Sequence, residues 1–302
     1  MSCCRCLGFP LPTPLSNKKR RYVAKPVLYF DIGNTNTKIG VGVGDLPLAS
    51  YVLPSTDRQT ADQFGLTLLD LLRHMRLDAG DVEACIASSV VPGMSLVAAR
   101  ACERFLGVPL LFAPDDLPIP LENRYALPYE VGADRLVGAY ASRRLFPEAP
   151  SIISVDFGTA TTFDCVEGHA YLGGLICPGV QSSVSALASN TAKLPRISLE
   201  VKDKKPVPGR STATSLNHGF VFGFAAMAEG LTARLASDMQ GPVTVVGTGG
   251  FAAALAEVAD CFHAVHPDLL LEGLRFLYQD HTGAGRIKTA LTRNFAGRKS
   301  VT

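Results

Sequence analysis

Residues 27–43 read VLYFDIGNTNTKIGVGV, and residues 152–166 read IISVDFGTATTFDCV. In both, an apolar run ends in an aspartate, Asp31 or Asp156, and a polar turn follows. Beyond the first turn, Ile39, Val41 and Val43 alternate with glycines, and beyond the second come residues 163–166. Strand, polar turn, strand predicts a hairpin in each place. Position by position, Asp31 matches Asp156, Gly33 matches Gly158 and Thr37 matches Thr162, so the chain reads as two homologous halves.

Outward from the hairpins, helical and strand patterns alternate. Phe64, Leu68, Leu71, Leu72 and Met75 have helical spacing, and residues 96–106, 133–146, 219–239 and 269–279 read as further helices. Short buried strands are expected at 85–88, 110–112 and 243–246, the last running into Gly247-Thr248-Gly249-Gly250 with a helix from Phe251. Mixed strands and helices in two such halves predict α/β domains around a cleft. The expected divisions are a disordered basic extension at 1–25, an N-terminal domain at 26–148, a C-terminal domain at 149–290 and a flexible tail at 291–302.

A strand-end aspartate beside a Gly-Asn-Thr turn suits phosphate chemistry. Backbone N–H groups and hydroxyls hold phosphate oxygens, the carboxylate binds a metal ion directly or through water, and Lys38 neutralises charge. A lone hairpin turn of this composition is ordinary. Two copies at the ends of similar strands, with a glycine-rich loop after a third, point to a nucleotide site. No GxxxxGK[ST] loop is present, and the Gly40–Gly44 alternation lies inside a strand rather than before a helix, so neither a P-loop nor a dinucleotide fingerprint applies.

The arrangement resembles the acetate and sugar kinase, heat-shock chaperone and actin superfamily, and within it the type III pantothenate kinases. The resemblance runs from about residue 27 to about residue 278. It is carried by DIGNTNTK (31–38), GADR (132–135), DFGTATT (156–162), GGLICPG (173–179), NTAKLP (190–195) and EGL (272–274). It implies a duplicated two-domain actin-like (ribonuclease H-like) α/β fold with ATP between the halves, and phosphorylation of pantothenate at the start of coenzyme A synthesis. Asp31, Ile32, Gly33, Asn34, Thr35, Asn36, Thr37, Lys38 and Thr159 fall at ATP contacts, with Asp31 near Mg2+. Asp134 falls at the catalytic base. Tyr125, Gly132, Ala133, Asp134, Arg135 and Thr191 fall at the pantothenate site, where Arg135 is suited to clamp a carboxylate or a phosphoryl oxygen. Asp156 falls at a ligand for a monovalent cation, K+ or NH4+. The resemblance also implies a homodimer, and the apolar 219–239 helix is a candidate for its interface. The helix start at Asp134 is expected to favour its carboxylate form. Val131 departs from the leucine often found before GADR.

Composition narrows the alternatives. Hydrophobic residues make up 47% and charged residues 19% of 302 positions, as in a globular chain. The net charge of +2 argues against a nucleic-acid surface. Much of the basic excess sits before Asp31, where no Asp or Glu occurs. No run is apolar enough to span a bilayer and the head lacks a secretory pattern, so a cytoplasmic protein without membrane attachment is expected. Cys85, Cys102, Cys165, Cys177 and Cys261 read as reduced, mostly buried thiols. Two rival readings are a sister kinase for a sugar or carboxylic acid, and a regulatory homologue that keeps the fold without catalysis. The GADR and NTAKLP segments argue against the first, and intact Asp31, Asp134 and Asp156 against the second.

Overall fold

The computed structural model describes residues 24–283 apart from 45, 57, 190–194, 196, 198 and 202. The predicted head up to residue 23, the predicted tail, Thr191 and most of NTAKLP therefore lie outside the described residues. Both hairpins form. In the first half β1 (Pro26–Ile32), β2 (Asn36–Val43) and β3 (Ala49–Pro54) make a meander, followed by α1 (Ala61–His74), β4 (Ala84–Ser89), α2 (Pro92–Ala101), β5 (Leu110–Ala113), the two-residue β6 (Glu122–Asn123) and α3 (Ala133–Leu145). The second half repeats the plan with β7 (Ser151–Phe157), β8 (Ala160–Glu167), β9 (Ala170–Pro178), α4 (Val180–Ser189), α5 (Thr212–Ser237), β10 (Val243–Gly249), α6 (Ala252–Leu255), β11 (Ala264–Val265) and α7 (Leu269–Gly283).

The first sheet has the order β3-β2-β1-β4-β5, and the second β11-β10-β7-β8-β9-β6. Apart from β6, which joins the edge at β9, each half uses its strands in the same spatial order, and in each the first strand pairs antiparallel with the second and parallel with the fourth. The two halves that the hairpins predicted are present, in the duplicated ribonuclease H-like arrangement that the resemblance implied.

The sheets are buried on both faces. Phe30, Ile39, Cys85 and Ala87 pack under α1 and α2, while Tyr29, Ala84 and Ile86 on the other face meet Val137 and Tyr140 of α3 and Leu271, Leu274 and Leu277 of α7. In the second sheet Ile153, Val155 and Phe163 pack against α5 and α6, and Ile152, Val166 and Tyr171 face α3. Thus α3 touches both sheets, and nine consecutive residues from Arg135 to Arg143 are buried. A helix enclosed on all sides needs no single apolar stripe. It crosses α7 closely because Gly273, in the EGL motif, has no Cβ; one built there would lie 2.8 Å from Val137. Cys85, Cys102 and Cys165 are free and buried, and Cys177 and Cys261 free and half-buried.

Candidate active site

The turn after β1 is held from beneath. The Gly33 N–H donates to the Asn36 carbonyl at 3.0 Å. Ser55 Oγ donates to the Gly33 carbonyl at 2.7 Å and meets Thr37 Oγ1 at 2.9 Å. Asn34, Thr35 and Asn36 are exposed at the tip, whereas Ile32 and Thr37 are buried, so those two side chains serve packing. Lys38 stands opposite Asp31 in the ladder. Its Nζ donates to the Pro267 carbonyl at 2.6 Å and pairs with Asp268 at 3.4 Å, while Ser50 donates to the other Asp268 oxygen at 2.9 Å. The lysine expected to neutralise phosphate also ties β2 to the start of α7.

The second turn has the same device, one residue shorter. Gly158 N–H donates to Ala160 O at 3.1 Å, and Ser182 Oγ donates to the Thr159 carbonyl at 2.7 Å. Thr37 pairs with Ile32 in the first hairpin, and Thr161, not Thr162, pairs with Phe157 in the second. The structural counterpart of Thr37 is therefore Thr161, and that of Lys38 is Thr162. The sequence alignment slipped by one because two threonines follow each other and turn length is not visible in residue type. Across the cleft Thr35 Oγ1 and Thr159 Oγ1 lie 2.9 Å apart, so the two turns face each other. Two glycines make room here. A Cβ on Gly179 would lie 2.0 Å from the Thr159 carbonyl, and one on Gly249, whose φ is +87°, would lie 2.3 Å from Asp156 Oδ1.

Asp134 begins α3. Its Oδ1 accepts the Arg135 N–H at 2.8 Å. A Cβ on Gly132 would lie 2.4 Å from the same oxygen, so the glycine of GADR is what lets the carboxylate fold back over the helix start. Ala133 adds no side chain beyond its Cβ. Arg135 turns inward: its Nε donates to Asp164 Oδ1 at 2.8 Å and its Nη2 pairs with it at 2.7 Å. Asp164 also accepts from the Tyr171 hydroxyl at 2.9 Å and from Thr162 Oγ1 at 3.2 Å. Tyr125 packs its ring on Gly173, close to this pair; a Cβ there would lie 3.2 Å from the ring.

Burial and repulsion dominate the electrostatics. Asp31 is pushed up to about 7 by burial and by the Asp156 and Asp134 charges, with Lys38 opposing. Asp156 is likewise pushed up to about 7, by burial and then by Asp134. Asp134 is raised from the ordinary carboxylate value by burial, against the N–H and charge of Arg135. The helix start thus does not keep Asp134 at a low value: burial outweighs it. Three mutually repelling carboxylates with one nearby lysine form a site that calls for a cation. No group of three or more His, Cys, Asp or Glu side chains is close enough to hold a metal alone among the described residues. One or two carboxylates that need water and phosphate to complete the shell fit magnesium, which keeps most of its ligands outside the protein.

Two residues here escaped the sequence reading. Asp164 looked like a strand residue, and only its place two after Thr162 on the same face was a signal. Ser88 pairs with Asp31 in the parallel register, is fully buried, and its hydroxyl has no partner.

Comparison with known proteins agrees with this geometry. A family model described as type III pantothenate kinase matches residues 27–234. A type III pantothenate kinase of Nitratidesulfovibrio vulgaris strain DP4 is 63% identical over 256 residues, covering 85% of this chain and 98% of the relative. One from Myxococcus xanthus is 38% identical, covering 83% and 97%. Among solved structures, a Baf family transcriptional activator from Campylobacter jejuni aligns over 85% of this chain and 99% of its own with a TM-score of 0.52 at 18% identity, a likeness of fold.

Proposed function

The chain belongs to the type III pantothenate kinase family, and from that premise we propose how its residues divide the work. The protein is an ATP-dependent kinase that converts pantothenate to 4′-phosphopantothenate, the first step of coenzyme A biosynthesis. The observation that carries the residue assignment is the field of like charge at the two turns: the charges of Asp156 and Asp134 raise Asp31, and that of Asp134 raises Asp156.

In this reading the tips of the two turns, Asn34, Thr35, Asn36 and Thr159, receive the nucleotide phosphates through N–H groups and hydroxyls. Lys38 neutralises their charge, and Gly33 with buried Ile32 and Thr37 fixes the turn. Asp31 anchors magnesium, directly or through water; bound there with the phosphates, the ion neutralises charge that develops in transfer. Asp156 holds a monovalent cation, potassium or ammonium. Asp134 orients the primary hydroxyl of pantothenate and accepts its proton. A carboxylate raised above its ordinary value is a better base at neutral pH than a surface aspartate. Gly132, Ala133, Tyr125, Arg135 and, outside the described residues, Thr191 complete the pantothenate site.

We read the chain as a cytoplasmic homodimer. Among the described residues no helix is long and apolar enough to cross a membrane. Val221, Phe224, Ala225, Ala228 and Thr232 of α5 are buried in their own subunit. Gly219, Gly223 and Ala226 on another side of the helix are exposed, and a Cβ on Gly219 or Gly223 would meet nothing within 4 Å. That side accepts a close helix from a second copy. The domains are read as 26–148 and 149–290.

The deciding experiment is ATP-dependent phosphorylation of pantothenate by purified protein in potassium or sodium. Turnover that requires potassium supports the full assignment. Turnover that ignores the cation removes it from Asp156, and no turnover from folded protein returns the sister-kinase reading.

A further inference from the structure

Arg135 and Asp164 form an ion pair with side chains only 9% and 5% exposed. Such a pair is a poor means of stabilising a fold, because desolvation offsets much of the attraction. Yet three further features are arranged around it. Tyr171 and Thr162 hydrogen-bond to the carboxylate at 2.9 and 3.2 Å. Gly174, across the ladder from Asp164, leaves the space that the guanidinium occupies: a Cβ there would lie 1.7 Å from the Phe163 carbonyl and 2.9 Å from Arg135 Nη2. Gly173, with φ of +117°, brings β9 under the Tyr125 ring. The consecutive glycines of GGLICPG therefore open a slot between β8 and β9 that admits one arginine.

Asp164 Oδ1 takes both the Nε and the Nη2 of that arginine, which fixes the plane of the guanidinium. The residue before Arg135 is the proposed base, and the ring beside it, Tyr125, belongs to the proposed substrate site. We propose that Asp164 is a positioning residue that fixes the Arg135 guanidinium for the carboxylate end of the substrate, and thereby makes the enzyme select an acid over its uncharged amide. This rests on the pantothenate kinase reading and adds the residue that sets specificity within it.

The test compares pantothenate with its primary amide in wild type and Asp164→Asn. With the carboxylate gone, Arg135 loses its fixed orientation. KM for pantothenate is expected to rise about 10- to 100-fold, the range for a hydrogen bond to a charged group. KM for the amide should move less than about threefold, and kcat should fall less than KM rises. The variant would thus lose discrimination rather than activity in general, which a merely structural role would not produce. Equal proportional changes for acid and amide, or no change for either, overturn the proposal. If Asp164→Asn does not fold, Tyr171→Phe and Thr162→Val each remove one bond to the same carboxylate. They should narrow the acid-to-amide preference by roughly 2- to 10-fold, and unaltered preference in both overturns the proposal. Wild type that turns over neither compound would sink the kinase reading itself, a separate outcome from wild-type turnover with unchanged selectivity in the variants.

Discussion

Replacing Asp134 with asparagine removes the proposed base while keeping its shape. The amide oxygen of Asn retains the acceptor for the Arg135 N–H, now at 2.8 Å, and the absence of a side chain at Gly132 leaves the same room. What is lost is the ability to take a proton. Positioned general bases contribute roughly 10²- to 10⁴-fold, equal to about 3–5 kcal/mol of barrier. The expected loss is therefore of that size in kcat, with KM for ATP within about threefold, because the phosphate-binding turns are untouched. The pH profile adds a second check. A base works deprotonated, so activity falls as pH drops through its pKa. Burial raises Asp134 above the ordinary value of 3.8, so the limb belonging to it lies higher than for an exposed aspartate. A coupled assay of ADP release across pH measures both quantities. A variant that keeps more than a tenth of wild-type kcat, with its acid limb intact, would refute the assignment of Asp134 as base.

Two further outcomes follow from the same structure. Asp31 is pushed up to about 7 in the folded chain, so its contribution destabilises the ligand-free protein progressively between about pH 4 and 7 and fully above. Asp31→Asn removes that penalty and should be more stable than wild type at pH 8 by up to about 4 kcal/mol, the worth of a rise from 3.8 to about 7. The gain should fade toward pH 5, and thermal unfolding with the gain independent of pH would contradict the like-charge account. Gly223→Leu adds a side chain into open space on α5. It should leave the melting of the subunit intact but shift sedimentation from dimer to monomer, whereas an unchanged dimer would move the interface elsewhere.

The hairpins were legible because their signals are local: an apolar run, an aspartate, and a turn of Gly, Asn and Thr. What was missed depended on partners distant in sequence. β3 alternates half-buried and exposed residues as an edge strand, with no apolar run to announce it. β9 carries the glycine pair of GGLICPG, whose place in a strand has no apolar alternation to announce it and is explained by Arg135 and Tyr125. The helix expected from Phe251 is only Ala252–Leu255. The helix expected at 96–106 ends as an α-helix at Ala101 and continues as a π-type turn through Leu106. In the site, Asp31, Asp134 and Asp156 were marked by motif. The partners of Lys38 and Arg135, namely Pro267, Asp268 and Asp164, lie up to 230 residues away and leave no local pattern.

The corrected register also explains how two copies of one unit came to do different things. Gly40 stands two residues after Lys38, and Asp164 two after Thr162, so the two occupy the same place in their halves. Their ladder partners are Tyr29 and Ser154. In the first half a large side chain is paired with glycine, and α7 closes over them: a Cβ on Gly40 would lie 3.2 Å from Leu271. In the second half a small residue is paired with an acid, and α3 sends Arg135 into the space. Apolar packing of a helix on a sheet needs only shape, so the first arrangement seals α7 against its sheet. A buried aspartate needs a cation, so the second makes α3 hold an arginine beside Asp134. One half thus anchors a helix, and the other turns the equivalent contact into a buried ion pair beside Asp134.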